Sequence, residues 1–160
     1  MNKVRNNKMK KTWKLIGTFI VLFFVYYSFF YFPTVPTASI KNEHKTYELK
    51  AKDYDYSAFG KSITKNLSYK SVYELNTYLQ NEPEITVHSN HHFTYKNSAS
   101  TTATNISFYS VDRNEVIARF ESESTVQSIS EPGHYILQYL SEFETGKIAS
   151  YFVKINVVKK

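Results

Sequence analysis

The chain has no cysteine, one tryptophan, four glycines and four prolines in 160 residues. The missing cysteine excludes disulfides, thiol nucleophiles, thiolate metal sites and a lipid-modified N-terminal cysteine. A domain displayed outside a cell without disulfides must be held by its core alone, which about 115 residues can do if the apolar pattern is good. Also missing is an excess of one charge over most of the chain. The net charge of +6 comes from Lys3, Arg5, Lys8, Lys10, Lys11 and Lys14, with no acid among residues 1–14. Residues 15–160 are neutral. A nucleic-acid-binding surface needs clustered positive charge on the folded part, so no nucleic-acid partner is expected. There is no G-x-S-x-G elbow, no phosphate-cradling glycine loop and no H-E-x-x-H helix.

What the chain does have is an oily run. Leu15–Phe32, LIGTFIVLFFVYYSFFYF, carries no charge. As a helix it spans about 27 Å at 1.5 Å per residue, close to the ~30 Å hydrocarbon core of a bilayer. Trp13 sits at its basic end, and Tyr26, Tyr27 and Tyr31 crowd the other, as interfacial aromatic residues do. Pro33 and Pro36 follow and stop the helix. The preceding lysines predict a cytoplasmic N-terminus and an extracytoplasmic C-terminus, hence a single-pass cell-membrane protein held by residues 15–32 in the lipid bilayer. A cleaved secretory signal is the competing reading. Its best cut, after Ala38 in VPTAS, puts Pro36 where a small side chain is wanted.

The expected organisation is a basic cytoplasmic tail over 1–14, a transmembrane helix over 15–32, an extended stalk over 33–45 and a β-rich domain over 46–158. In the stalk, two prolines and small polar residues offer little to bury. TYELKAKDYDYSAF reads as one or two strands, with Tyr47, Leu49 and Ala51, then Tyr54, Tyr56 and Ala58, alternating with polar residues. SVYELNTYLQ, from Ser71 to Gln80, is the one helix expected outside the membrane. Ser71 and Glu74 form a capping box, and Val72, Leu75 and Leu79 share a face. From Glu84 the pattern is β. EITVHS and STVQSIS read as short strands. NISFYS and EVIARF form a hairpin around Asp112-Arg113-Asn114, with Ile106, Phe108, Val116, Ala118 and Phe120 facing the core. In the last hairpin Tyr135, Leu137 and Tyr139 share one face. Ala149, Tyr151, Val153, Ile155 and Val157 share the matching face of its second strand. This is the half-buried antiparallel alternation of a sandwich sheet.

EPGHYILQY, at Glu131–Tyr139, resembles the segment entering the penultimate strand of immunoglobulin-like and fibronectin type III-like domains, including those of bacterial cell surfaces. The resemblance is clearest over 84–158. It implies an Ig-like antiparallel β-sandwich with one short helix. It also implies a structural corner at Pro132, Gly133 and Tyr135, whose hydroxyl bonds back to nearby backbone. The disulfide pair and core tryptophan of antibody-type domains are absent.

Several constellations carry residue types suited to chemistry. His88, His91 and His92 put three imidazoles within five residues, a weak candidate for zinc or copper. In a strand, however, His91 and His92 point to opposite faces. Ser62 and Lys65 in SITK fit S-x-x-K, whose lysine must lie one helical turn from the serine. Asp53 and Asp55 offer too few oxygens for calcium. Tyr47, Tyr54, Tyr56, Tyr69, Tyr73 and Tyr78 form a candidate binding surface for a glycan or a protein. Their other reading is cover for the sandwich edge and the short helix. The chain is therefore expected to be a binding module without enzymatic activity or cofactor, contacting a membrane or envelope protein. The alternative is a metal-handling or small enzymatic domain built on the three histidines.

Overall fold

The structure is a computed structural model. It describes residues 2–121, 125–144 and 146–159, with side chains from Thr12 onward. The chain divides into two compact units, residues 1–32 and 33–160.

The first unit is one helix, α1 (Asn2–Phe30). It starts inside the stretch expected to be a separate basic tail and stops two residues before Phe32. Side chains from Thr12 to Phe30 are exposed almost throughout. Tyr27 stacks on Phe23 and Tyr31, one turn away on either side, with centroids 6.2 and 4.8 Å apart.

The second unit is mainly β, and its strands follow from two-residue alternation. In chain order they are β1 (Ala38–Asn42), β2 (Lys45–Leu49), β3 (Asp53–Ala58) and β4 (Lys61–Lys65), then the helix α2 (Val72–Tyr78). After it come β5 (Glu84–His88), β6 (His92–Asn97), β7 (Thr101–Ser110), β8 (Glu115–Glu121), β9 (Thr125–Gln127), β10 (Gly133–Phe143) and β11 (Lys147–Val158). One sheet runs β2-β1-β6-β9. The other runs β4-β3-β11-β10-β7-β8. Its centre is the long hairpin β10–β11, paired from Gly133↔Val157 to Phe143↔Lys147. The other edge of β11 serves two strands in succession. Antiparallel β3 pairs with Ile148–Ser150, and β5 pairs in parallel with Lys154–Val158. That parallel pair departs from the wholly antiparallel expectation. The chain reaches it through α2, the kind of crossover that parallel pairing needs.

Residues 33–45 are not a stalk. Ala38 and Ile40 in β1 are buried in the main core, and Pro33 is buried as well. Small and polar residues alternate with apolar ones here, which a fully paired interior strand accepts as readily as a solvated linker does. The main core lies between the sheets. Ile40, Leu49, Phe93 and Val126 come from one sheet; Ile106, Phe108, Leu137, Tyr139, Tyr151 and Ile155 come from the other. A smaller core lies on the opposite face of the β10–β11 hairpin. There α2 sets Val72, Leu75 and Leu79 onto Tyr109, Ile136 and Phe152. At seven residues α2 persists only by this packing.

The capping box differs by one bond. Ser71 Oγ accepts from the Glu74 N–H at 3.2 Å, while Glu74 Oε2 accepts from the N–H of Lys70 at 2.6 Å rather than that of Ser71. Asn114 Oδ1, in the β7–β8 turn, accepts from the Val72 and Tyr73 N–H groups at 2.9 and 3.2 Å. It thus satisfies the helix from outside. Val116 does not face the core. A register shift between Phe108 and Tyr109 puts it opposite Tyr109 on the other face, 39% exposed. Ala118 and Phe120 keep the expected face, but β8 is an edge strand, so Phe120 remains 38% exposed while stacking on Phe108.

Candidate functional site

Strand order decides which candidates meet. β5 belongs to the large sheet and β6 to the small one, so His88 and His92 lie on different layers. His88 Nδ1 is 3.4 Å from the Lys159 carbonyl, and the His91 ring meets the edge of Phe93. No group of three or more metal-binding side chains occurs among the described residues. Ser62 and Lys65 lie in β4. A separation of three in a strand sends their side chains to opposite faces, so the S-x-x-K geometry is absent. Asp55 Oδ1 accepts from Thr64 Oγ1 at 3.2 Å across the β3–β4 hairpin.

The six tyrosines do not form one patch. Tyr47, Tyr54 and Tyr56 pack against the main core, and Tyr69 packs against the smaller one. Tyr73 and Tyr78 stand out from α2, 56% and 46% exposed. At Glu131–Tyr135, Tyr135 Oη donates to the Glu131 carbonyl at 2.9 Å, and Asp112 Oδ2 accepts the His134 N–H at 3.1 Å. Gly133 has φ +154°, and a Cβ there would lie 2.9 Å from Asp112 Oδ2. That crowding, with the glycine-favoured backbone angle, explains why the turn carries glycine.

A groove that the sequence did not disclose crosses the outer face of the large sheet. It measures about 420 Å³ and lies over β7, β8 and β10, among Asn105, Ser107, Tyr109, Arg119, Glu121 and Gln138. The alternation that buries Ile106, Phe108, Leu137 and Tyr139 throws these polar partners onto the other side. A hydrogen-bonded row forms the floor. Tyr69 Oη and Tyr109 Oη are 3.2 Å apart, Tyr109 Oη donates to Gln138 Oε1 at 2.5 Å, and Gln138 Nε2 donates to Ser150 Oγ at 3.3 Å. Burial, helped by the Tyr109 hydroxyl, raises the Tyr69 phenol well above its ordinary range. The row's hydroxyl and amide groups can donate or accept as a partner requires. Arg119 and Glu121 supply charges of opposite sign at its edge. A sequence signal for this groove existed in the polar positions of NISFYS and EVIARF. The register that aligns them did not show.

No family model matches the chain, and no curated protein matches it. Among solved structures it is similar to a lytic polysaccharide monooxygenase of Jonesia denitrificans, determined by neutron crystallography. The two are 12% identical with a TM-score of 0.34, over 48% of this chain and 58% of that one. That protein is an enzyme, which corrects the expectation that the chain is not one. That expectation is not retained. A likeness at this level carries no argument about what this chain does. The chain spans less than two thirds of that neighbour. The apolar helix, Thr12–Phe30, is long enough to cross a membrane, and its length and composition suit an anchor or a signal peptide equally.

Proposed function

We propose that the chain is a single-pass, membrane-anchored binding module. In this reading α1 stays in the bilayer with its N-terminus in the cytoplasm. Residues 33–160 are an extracytoplasmic, immunoglobulin-like sandwich that contacts another membrane or envelope protein. The observation that supports it is the helix: residues Thr12–Phe30 are apolar and exposed. A bilayer is the solvent in which such a surface is satisfied.

The surface assigned to the partner is the outer groove with the adjoining strand β8. Among the described residues no strand pairs with the far edge of β8. Such an edge presents unpaired backbone donors and acceptors to an incoming segment. Arg119 and the tyrosine row beside it select side chains.

The test has two arms. Protease added to intact cells should digest the chain beyond Pro33, and the mature protein should retain residues 1–38 by mass. A photo-crosslinking residue at Arg119 should yield a defined protein adduct that one at His92, in the other sheet, does not. A mature protein starting after Ala38, or identical adducts from both positions, would overturn the proposal.

A further inference from the structure

The two sheet orders end in β2 and β9 and in β4 and β8, whose far edges pair with no strand among the described residues. An open edge is a template for a second copy of itself. Two copies joined about a two-fold axis pair antiparallel, and each residue meets a fixed partner on the other chain. Charge then decides which edges can do this. Full overlap of β4 sets Lys61 against Lys65, and like charges directly opposite repel. Full overlap of β2 sets Lys45 against Leu49 and Thr46 against Glu48, with no ion pair. β9 carries no charge.

β8 differs from these three. Arg119 and Glu121 stand on the outer face, opposite Ser107 and Asn105, and Phe120 stands between them on the inner face, opposite Ile106. Residues opposed in a ladder share a face, so the axis must pass through a residue rather than between two. An axis at Ala118 opposes Glu115 to Glu121 and crosses the extra residue Ile117. An axis at Arg119 opposes two arginines. An axis at Phe120 opposes Arg119 to Glu121 of the second copy, twice over.

The side chains at that axis are available. Neither Arg119 nor Glu121 makes an ion pair among the described residues. Phe120 stacks on Phe108 with one side of its ring and remains 38% exposed. The axis brings this exposed surface against its own copy on the inner face, while the two ion pairs form on the outer one.

We propose, resting on the assignment of β8 as the partner surface above, that the partner at this edge is a second copy of the chain, paired about a two-fold axis at Phe120. The ladder spans Arg119–Glu121 on each copy, as long as the three-residue ladder between β6 and β9. The two outer grooves meet across the axis, because each lies beside its own Arg119 and Glu121. A ladder this short buries less than a stable dimer does, so the copies pair where they are held at high local concentration.

The experiment uses the full chain in phosphatidylcholine vesicles at one protein-to-lipid ratio. The chain has no cysteine, so a single introduced thiol reports on one position. Phe120→Cys places two Cα atoms about 5 Å apart across the axis, within disulfide reach. It should give an oxidised dimer that Ile63→Cys, on the β4 edge, does not. A second measurement keeps Phe120 and reads energy transfer between copies labelled at an appended C-terminal cysteine. Arg119→Glu alone and Glu121→Arg alone should each fall to about a tenth of the native transfer. The two single variants mixed with each other should recover it, and so should Arg119→Glu/Glu121→Arg, whose net charge is native. Equal crosslinking from positions 120 and 63, or a double variant no better than the singles, would overturn the proposal. The photo-crosslinker at Arg119 separates it from the reading it rests on. An adduct of twice the chain's mass is expected; an adduct with a different protein would overturn the second copy alone, and identical adducts from positions 119 and 92 would overturn both.

Discussion

At the end of the sandwich that holds Pro36 and Asn97, the chain is tied by tyrosines buried between the sheets; at the opposite end it is tied by one tyrosine at a turn. In the first half Tyr95 stacks flat on Tyr139, with centroids 4.0 Å apart. Tyr95 Oη is 2.6 Å from Ser141 Oγ and donates to Asn97 Oδ1 at 2.5 Å. Tyr151 Oη donates to the Pro36 carbonyl at 2.7 Å, joining residues 115 apart. At the other end Tyr135 reaches back only four residues, to Glu131. The same side chain thus serves two purposes. Where its partner is distant in sequence it holds the two sheets together. Where its partner is local it fixes a loop.

The sharpest way to break this comparison is alkali. Burial pushes the Tyr95 phenol up to about 12 and raises those of Tyr139 and Tyr151 above the ordinary range. In the unfolded chain all three ionise near pH 10. Above that pH the unfolded chain gives up protons that the folded chain keeps, so stability falls as pH rises and is fully present below it. Three such groups remove about 4 kcal/mol per pH unit, against a total of roughly 5–15. Cooperative loss of β circular dichroism between about pH 10 and 12 is expected, in step with tyrosinate absorbance. Tyrosinate that appears gradually with the fold intact would remove the buried role assigned to the first half.

The corner end is broken next by Gly133→Ala. The methyl group meets Asp112 Oδ2 at 2.9 Å on a backbone angle that favours glycine. Moving that carboxylate also forfeits its bond from the His134 N–H. A loss of about 3 kcal/mol is expected in denaturant unfolding. A loss under about 0.5 kcal/mol, the range of ordinary surface substitutions, would show that the turn relaxes freely. Tyr135→Phe should cost less, about 1 kcal/mol, because it removes one net hydrogen bond and keeps the ring. Its alkaline transition should stay close to that of the parent. An alkaline midpoint displaced as far as by Tyr151→Phe would erase the distinction between the two ends.

The sequence discloses these two ends unequally, and the reason is contact distance. The corner is written within five residues, Glu131–Tyr135. The β10–β11 hairpin is likewise visible as two matched alternating runs beside a glycine turn. The tie from Tyr151 to Pro36 has no local sign, because it depends on β1, and β1 was hidden in a stretch that composition alone assigns to a linker. Strand β6 was hidden similarly, since its polar positions, from His92 to Asn97, look like a continuing loop until Phe93 and Tyr95 are seen to be buried. Val116 illustrates a third cause. One extra residue in its own strand, Ile117, between the partners of Phe108 and Tyr109, moves a side chain to the other face, and nothing in EVIARF records it. The groove shares the last cause, because it exists only where the two pairings β10–β7 and β7–β8 bring three strands into line.

The smallest expected effect runs against intuition and concerns Tyr139, one of the two tyrosines wholly enclosed by the core. Its ring stacks on Tyr95, but its hydroxyl is buried without a hydrogen-bond partner. A polar atom removed from water and left unpaired costs about 1–3 kcal/mol. Tyr139→Phe removes that cost, keeps the stacked ring and leaves a space smaller than one water. The variant should therefore be more stable by about 1 kcal/mol, seen as a higher denaturant midpoint with an unchanged slope. It should also retain more stability than the parent in alkali, having one fewer buried phenol. Tyr95→Phe, in contrast, removes the hydroxyl's bonds to Asn97 and Ser141, leaving those two only each other, and should destabilise the fold. If the two substitutions act in the same direction, the stacked pair is not divided into a bonded and an unbonded member, and the first half of the sandwich is held by ring packing alone.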